Sequence, residues 1–250
     1  MPKLVEDIQT FISRRLHNLL FLEEFVFARN KFTPVASSEL ELADAVVMVG
    51  DTLLIYQIKE RKIDHRVNVD AERNWFNRKV LGAGTKQVRD TLRYLETYPD
   101  ILVPNERGHK FNLAARSFSD IIKIVAYAPS PHLPAECRNI RHHVSEAGGG
   151  FIHIIDAHDY LELSRTLRVP REVIEYFKFR QRILTQFPDA CASLPEAAIA
   201  GHYIVDDADH TKPPTIQSAM GLRSLVQDSN KWDLAPLLRN LYDHLLTFPK

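Results

Sequence analysis

Residues 41–61 read ELADAVVMVGDTLLIYQIKER, two apolar runs separated by Gly50-Asp51. Both runs are rich in β-branched and aromatic residues, and the pair between them suits a tight reversal, which predicts a two-stranded hairpin. With a two-residue turn, Val49 faces Thr52, Met48 faces Leu53 and Asp44 faces Gln57. Side chains alternate along a strand, so one face presents Leu42, Asp44, Val46 and Met48 beside Leu53, Ile55, Gln57 and Lys59. The other face is Ala43, Ala45, Val47, Val49, Thr52, Leu54, Tyr56 and Ile58. Both faces are largely apolar, which places the hairpin in the middle of a sheet with a cover on each side. Against that background a carboxylate, a carboxamide and an ammonium group converge at one end of one face.

Outward from the hairpin, residues 4–20 carry an apolar stripe at Val5, Ile8, Ile12, Leu16 and Leu19 with Glu6, Gln9, Ser13 and Arg14 on the polar side, a helix. EEFVFARNKF, residues 23–32, alternates as a strand that Pro34 closes. Beyond the hairpin the pattern predicts helices over 70–81 and 85–98, separated by Gly82-Ala83-Gly84. IIKIVAYA is a buried type of strand, followed by a long Pro-punctuated connection to Gly148-Gly149-Gly150 and a further strand, FIHII. A helix starts at Pro170 with Val173, Ile174, Phe177 and Leu184 inward, and more helix follows, interrupted at Lys212-Pro213-Pro214. This order predicts an α/β chain: a mixed central sheet flanked by helices over 1–165, then a helical C-terminal region over 166–250.

Hydrophobic residues make up 45% of the 250 and charged residues 26%, the balance of a soluble globular chain rather than a disordered one. No apolar run approaches the roughly 20 residues that span a bilayer. MPKLVEDIQTFISRRL has acids in its first turns and lacks a small-residue cleavage site, so the expected location is the cytoplasm. Cys137 and Cys191 are far apart and sit in no ligand pattern, which argues against a disulfide framework or a zinc site. Formal net charge is zero, yet Gln57–Arg93 holds ten Lys or Arg against five Asp or Glu, while Met1–Tyr56 holds five against eight. That excess is either a solvated helix face or a phosphate-binding surface beside the hairpin.

Cross-strand neighbours have Cβ atoms about 4.5–5.5 Å apart, close enough for Asp44 and Gln57 oxygens to share one hard cation, with Lys59 next along the face. A buried charge must be paired, so the cluster is either a structural Asp44–Lys59 ion pair or a site for metal and substrate. The second alternative suits phosphodiester hydrolysis, in which a cation lowers the pKa of attacking water and Lys59 orients it or offsets developing charge.

The stretch resembles the core of the PD-(D/E)XK nucleases, the restriction-endonuclease-like superfamily, over about residues 4–160, with its specific part at residues 39–62. Asp44 matches the first acid and Gln57-Ile58-Lys59 the second motif, with Ala43 where proline is usual and Gln57 where an acid is usual. The resemblance implies an Mg²⁺-dependent deoxyribonuclease, with Mn²⁺ a possible substitute, in defence, mobile-element biology or repair. It implies metal ligation by Asp44, Gln57 and the Ile58 carbonyl, a helix acid at Glu6, and DNA contacts from Arg61, Lys62, Lys86 and Gln87. Dimers are common among such enzymes; a further alternative is that the helical C-terminal region is an oligomerisation or partner-docking module within a larger assembly. Glu41 and Glu60 are further acids able to offset the charge missing at Gln57; a regular strand puts both on the opposite face, so either needs a bulge or strand end to reach the metal, and Glu41, which opens the strand, is the better placed. The alternative function is a catalytically silent version of the fold that binds nucleic acid or protein.

Other candidates carry less. His142-His143 falls in a loop, His153 and His158 flank Asp156, and no further ligand stands in tetrahedral register. Asp156 and Asp159 read as strand-end and helix-cap residues. The two glycine clusters lack nucleotide-loop context, and no nucleophile elbow is present. Arg165, Arg168, Arg171, Lys178, Arg180 and Arg182, interleaved with Tyr176, Phe177 and Phe179, form either a DNA-contacting strip or the wet face of an amphipathic helix.

Overall fold

The computed structural model describes residues 7–34, 38–62, 68–146, 148–167 and 169–229. These residues divide into two compact units between Leu161 and Glu162.

In the first unit a helix, α1 (residues 8–21), precedes strands β1 (Val26–Phe27), β2 (Lys31–Phe32), β3 (Leu40–Glu41), β4 (Ala45–Val49) and β5 (Thr52–Glu60). Helix α2 (residues 69–97) follows, then β6 (Leu102–Pro104), β7 (Lys110–Asn112), β8 (Asp120–Ala128), a short α3 (Ala135–Arg138), β9 (His142–Ser145) and β10 (Gly150–Asp156). Helix α4 (Ala157–Thr166) closes the series. The central sheet has six strands in the order β1-β4-β5-β8-β10-β9. It is mixed: β5, β8 and β10 are parallel, and β1–β4, β4–β5 and β9–β10 are antiparallel. The expected α/β class, a mixed sheet flanked by helices, is what the chain adopts.

The hairpin register is the one its turn dictates, from Val49↔Thr52 to Ala45↔Tyr56, with Gly50 supplying a positive φ of 61°. Both faces are sealed. Val46, Met48, Leu53 and Ile55 join a core with Phe27, Ile101, Val103 and Leu113, against which Leu92 and Leu95 of α2 pack. On the opposite face Ala45, Val47, Leu54, Tyr56 and Ile58 are buried, and the His17 ring of α1 lies 4.3 Å from that of Tyr56.

Four elements differ from the sequence expectation, each for a local reason. EEFVFARNKF is two short strands, because the buried Asn30 side chain donates to the Phe27 carbonyl and accepts from the Leu42 and Ala43 amides. Gly82-Ala83-Gly84 does not break the helix: Phe76–Gly84 continues from Val69–Trp75 into Thr85–Thr97, wound with the longer bonds of a π-helix. Gly84 is needed there for close approach, since a Cβ would stand 2.8 Å from Val125 Cγ1. A π-wound stretch, Phe11–Leu16, also interrupts α1. Each such bond closes one residue later, so the inward face drifts from the Ile8/Ile12/Leu16 stripe to Ile12, Ser13, His17, Leu20 and Phe21, all buried. His142-His143 is not a loop but part of edge strand β9, paired with Ile152 and His153.

The second unit continues with α5 (Pro170–Gln186), α6 (Pro188–Ala192), α7 (Glu196–Ile204) and α8 (Ile216–Ser229). Pro170 stands in the first turn of α5, and Val173, Ile174, Phe177 and Leu184 are buried as their spacing predicts. The basic strip is not uniformly wet. Arg180 is fully buried and gives two hydrogen bonds to Glu196, at 2.6 and 3.0 Å, while Tyr176 donates to the same carboxylate. Phe177 and Phe179 are buried with it, and Arg168 lies outside the described residues. No described helix is long and apolar enough to cross a membrane.

Candidate functional site

The hairpin ladder ends at Ala45↔Tyr56, and the chain bends at Asp44, where β4 leaves β5. Beyond that point β5 is bonded on its other side to β8, through Gln57↔Val125 and Lys59↔Tyr127. Where the backbone acceptor of the ladder is lost, the Asp44 carboxylate replaces it: Oδ2 accepts the Ile58 amide at 2.6 Å. A side chain thus completes the backbone pairing, as a buried amide requires.

The three groups singled out by the sequence meet around one atom. Lys59 Nζ donates to Asp44 Oδ2 at 3.1 Å, to Gln57 Oε1 at 3.3 Å and to the Ile58 carbonyl at 3.2 Å. Asp44 Oδ1 accepts the Gln9 amide of α1 at 2.8 Å. Asp44 and Lys59 side chains keep only 11% and 14% of their exposure, and Gln57 only 3%, so the cluster is largely withdrawn from solvent and opens to it on one side. The ion pair and the convergence of oxygens coexist in one arrangement.

That opening is a cavity of about 310 Å³ lined by Glu41, Leu42, Ala43, Asp44, Gln57, Lys86, Gln87, Asp90 and Tyr94. Its floor is the sheet end and its wall is α2, tied down by a hydrogen bond from Thr91 Oγ1 to the Leu42 carbonyl. Lys86 and Gln87 both line it, and Lys86 Nζ pairs with Asp90 at 2.7 Å, as does Arg93 at 2.9 Å. Glu41 also lines it. Burial pushes the Glu41 carboxyl above its usual range, and the nearby Asp44 carboxylate adds to the rise.

The remaining candidates fall elsewhere. Arg61 donates from Nε at 2.7 Å to Glu72, which is fully buried and also accepts the Ser130 amide; this pins the ends of β5 and β8 to the first turn of α2. Lys62 is exposed. Glu60 accepts the Ile8 amide at 3.0 Å, capping α1 rather than facing the cavity. Glu6 lies outside the described residues. Asp156 ends β10 as expected, accepting the His158 amide.

Sequence reasoning missed Gln9, Asp90 and Tyr94, and put Glu41 on the opposite face unless the strand ends before it. Gln9 was legible as a neighbour of Glu6 on the polar side of α1, and Asp90 and Tyr94 as later positions on the helix face that bears Lys86 and Gln87. Glu41 was legible only as an acid that a strand end would bring to the site. The alternation of a continuous strand forbids it, but residues 42–44 are not strand, so the parity does not carry from β3 to β4.

A hard cation fits the oxygens present. Asp44, Gln57 and the Ile58 carbonyl already surround an ammonium, a monovalent stand-in for such an ion, and all are oxygen donors. Among the described residues no three His, Cys, Asp or Glu side chains group as a metal site, so the neutral oxygens of Gln57 and Ile58 would have to share the task with acids. No protein-family model, no curated protein and no solved structure matches this chain.

Proposed function

We propose that the protein is a metal-dependent phosphodiester hydrolase acting on DNA, with Asp44, Gln57 and Lys59 at its centre. The observation that carries this reading is the convergence of three oxygens on Lys59 Nζ within 3.3 Å, beside a cavity walled by polar residues of the following helix. The order of elements supports it as well: a helix reaching Asp44 through Gln9, the hairpin, then a helix that turns Lys86 and Gln87 to the cavity. The hairpin pair and the following helix with Lys86 and Gln87 are parts that the resemblance to PD-(D/E)XK nucleases implies; its helix acid, Glu6, lies outside the described residues.

Asp44, Gln57 Oε1 and the Ile58 carbonyl would hold Mg²⁺ or Mn²⁺, which supplies charge neutralisation at a phosphodiester and an acidified water. Gln9 and the Ile58 amide fix the Asp44 carboxylate by two hydrogen bonds that do not involve Lys59, so its orientation survives movement of the lysine. Lys59 Nζ, once shifted from the oxygens, is an ammonium donor beside the cavity, placed to hold a phosphate oxygen as charge develops on it. Lys86 adds a second positive group on the opposite wall, tempered by Asp90.

A second reading, a silent version of the fold that binds nucleic acid or protein, is favoured by one feature. Asp44 has three donors and Lys59 three acceptors, so the cluster is complete as an ion pair. Incubation of purified protein with plasmid and linear DNA, in Mg²⁺, Mn²⁺ or chelator, separates the two. The hydrolase reading expects cleavage by wild type with metal, none with chelator, and loss of at least about a hundredfold in Lys59→Ala, the scale of removing one charge-stabilising group. Identical behaviour of wild type and Lys59→Ala under every condition would refute it.

A further inference from the structure

We infer that Glu41 is the second carboxylate of the divalent-cation site, taking over the charge that position 57 lacks; this rests on the hydrolase reading above. Three acids line the cavity: Glu41, Asp44 and Asp90. Asp44 is engaged by Gln9, the Ile58 amide and Lys59, and Asp90 by Lys86 and Arg93. Among the described residues no hydrogen bond or ion pair engages the Glu41 carboxylate, although the charges of Lys31 and Lys59 attract it from a distance. Glu39, two residues before Glu41 in the chain, is already paired with Lys31 at 3.2 Å. Glu60 is committed to the start of α1.

The orientation of Gln57 points the same way. An ammonium offers only donors, so the Gln57 oxygen must face Lys59, and its Nε2 hydrogens are left for the cavity that the side chain lines. Those hydrogens meet no acceptor among the described residues, although Gln57 is only 3% exposed. Nε2 is not among the buried atoms left without a partner, so it is reached by solvent where the side chain lines the cavity, and a phosphate oxygen entering there would find a donor. Position 57 thus gives one neutral oxygen to the cation and two hydrogens to the substrate, and leaves the second negative charge to be supplied by another residue. A hard divalent ion gains most from carboxylate oxygens, and Glu41 is the cavity acid held by no hydrogen bond or ion pair among the described residues. Its place on the cavity depends on the loss of strand regularity at residues 42–44.

The test uses the full chain and Mn²⁺ alone, followed by electron paramagnetic resonance of the free ion, with circular dichroism to verify the fold of each variant. Wild type is expected to bind Mn²⁺, Glu41→Gln to bind at least about tenfold more weakly, since even outer-shell changes cost that much, and Glu41→Asp to fall between. Glu39→Gln is expected to match wild type. Equal affinity of Glu41→Gln and wild type would overturn the assignment of Glu41 while leaving the cation site intact. An equal loss in Glu39→Gln would attribute the effect to general negative potential and overturn it too. Failure of wild type to bind Mn²⁺ at all would remove both this inference and the hydrolase reading.

Discussion

Lowering the pH from 7.5 to 5.0 is expected to destabilise the first unit by about 2 kcal/mol through a single side chain, His17. The ring is fully buried between Phe21, Tyr56 and Tyr160, with centroid separations of 5.6, 4.3 and 5.9 Å. Tyr160 donates its one hydroxyl hydrogen to Tyr56 at 3.0 Å, so His17 Nε2, 3.1 Å from Tyr160, acts as the donor to that oxygen. Nδ1 is then a buried acceptor without a partner. Protonation would put an N–H where nothing receives it, and burial lowers the His17 pKa from 6.5 to about 3. Between those values the unfolded chain holds one more proton than the folded one. The contribution of His17 is therefore complete above pH 6.5 and is lost as pH falls toward 3. The slope in that window is about 1.4 kcal/mol per pH unit, and only the part of the interval below the unfolded pKa counts, which gives the figure above. Tyr56 and Tyr160, the titratable groups facing the ring, are pushed further up by burial and stay neutral throughout. Urea unfolding followed by circular dichroism at both pH values, for wild type and His17→Phe, isolates the share of His17 as a difference of differences. The same pH dependence in both proteins would show that the imidazolium is accommodated in the fold and refute the reasoning.

Gly84→Ala is expected to cost about 1–3 kcal/mol, because the new methyl group overlaps Val125 of β8; a double-mutant cycle with Val125→Ala should show coupling that relieves part of the loss. Glu196→Gln leaves the buried Arg180 guanidinium facing an amide in place of a carboxylate and should cost about 3–5 kcal/mol in thermal or urea unfolding, with the paired change Arg180→Met and Glu196→Leu costing less than this single one.

The hairpin was legible because two independent signals agreed: apolar runs rich in β-branched and aromatic residues on either side, and a Gly-Asp reversal between them that admits one register. That agreement placed Asp44, Gln57 and Lys59 together, and the side chains do meet around one nitrogen. The helices were legible in extent but not in winding. The Gly-Ala-Gly stretch reads as a break by propensity, while Val125 beneath Gly84 rewards the close approach that glycine permits. Asn30 looked like one polar residue of an alternating strand, yet its amide serves as a surrogate backbone that ends β1 and receives the approach to β4. Arg180 resembled its basic neighbours in sequence, and its pairing with Glu196, in another helix, is a contact the sequence does not announce. Each unread feature depends on a contact distant in the chain or on a strand that stops.

The departure of β4 from β5 at Asp44 links the fold to the proposed chemistry. It opens the cavity, frees the Asp44 carboxylate to face three donors, and breaks the parity that would turn Glu41 away. Gln57 bears on the same balance. Were it an acid, Lys59 would be held by two carboxylates rather than one and would be harder to displace. With one, Lys59 competes with a cation on uneven terms: its single charge sits 3.1 Å from Asp44 Oδ2, whereas a magnesium ion carries two at about 2.1 Å. At equal effective dielectric that is roughly a threefold difference in Coulomb attraction, against which stands the reluctance of magnesium to lose water. The carboxylate missing from position 57 thus weakens the cation's hold and loosens the lysine's at once, so the occupant of the cradle is decided by the charge that Glu41 adds.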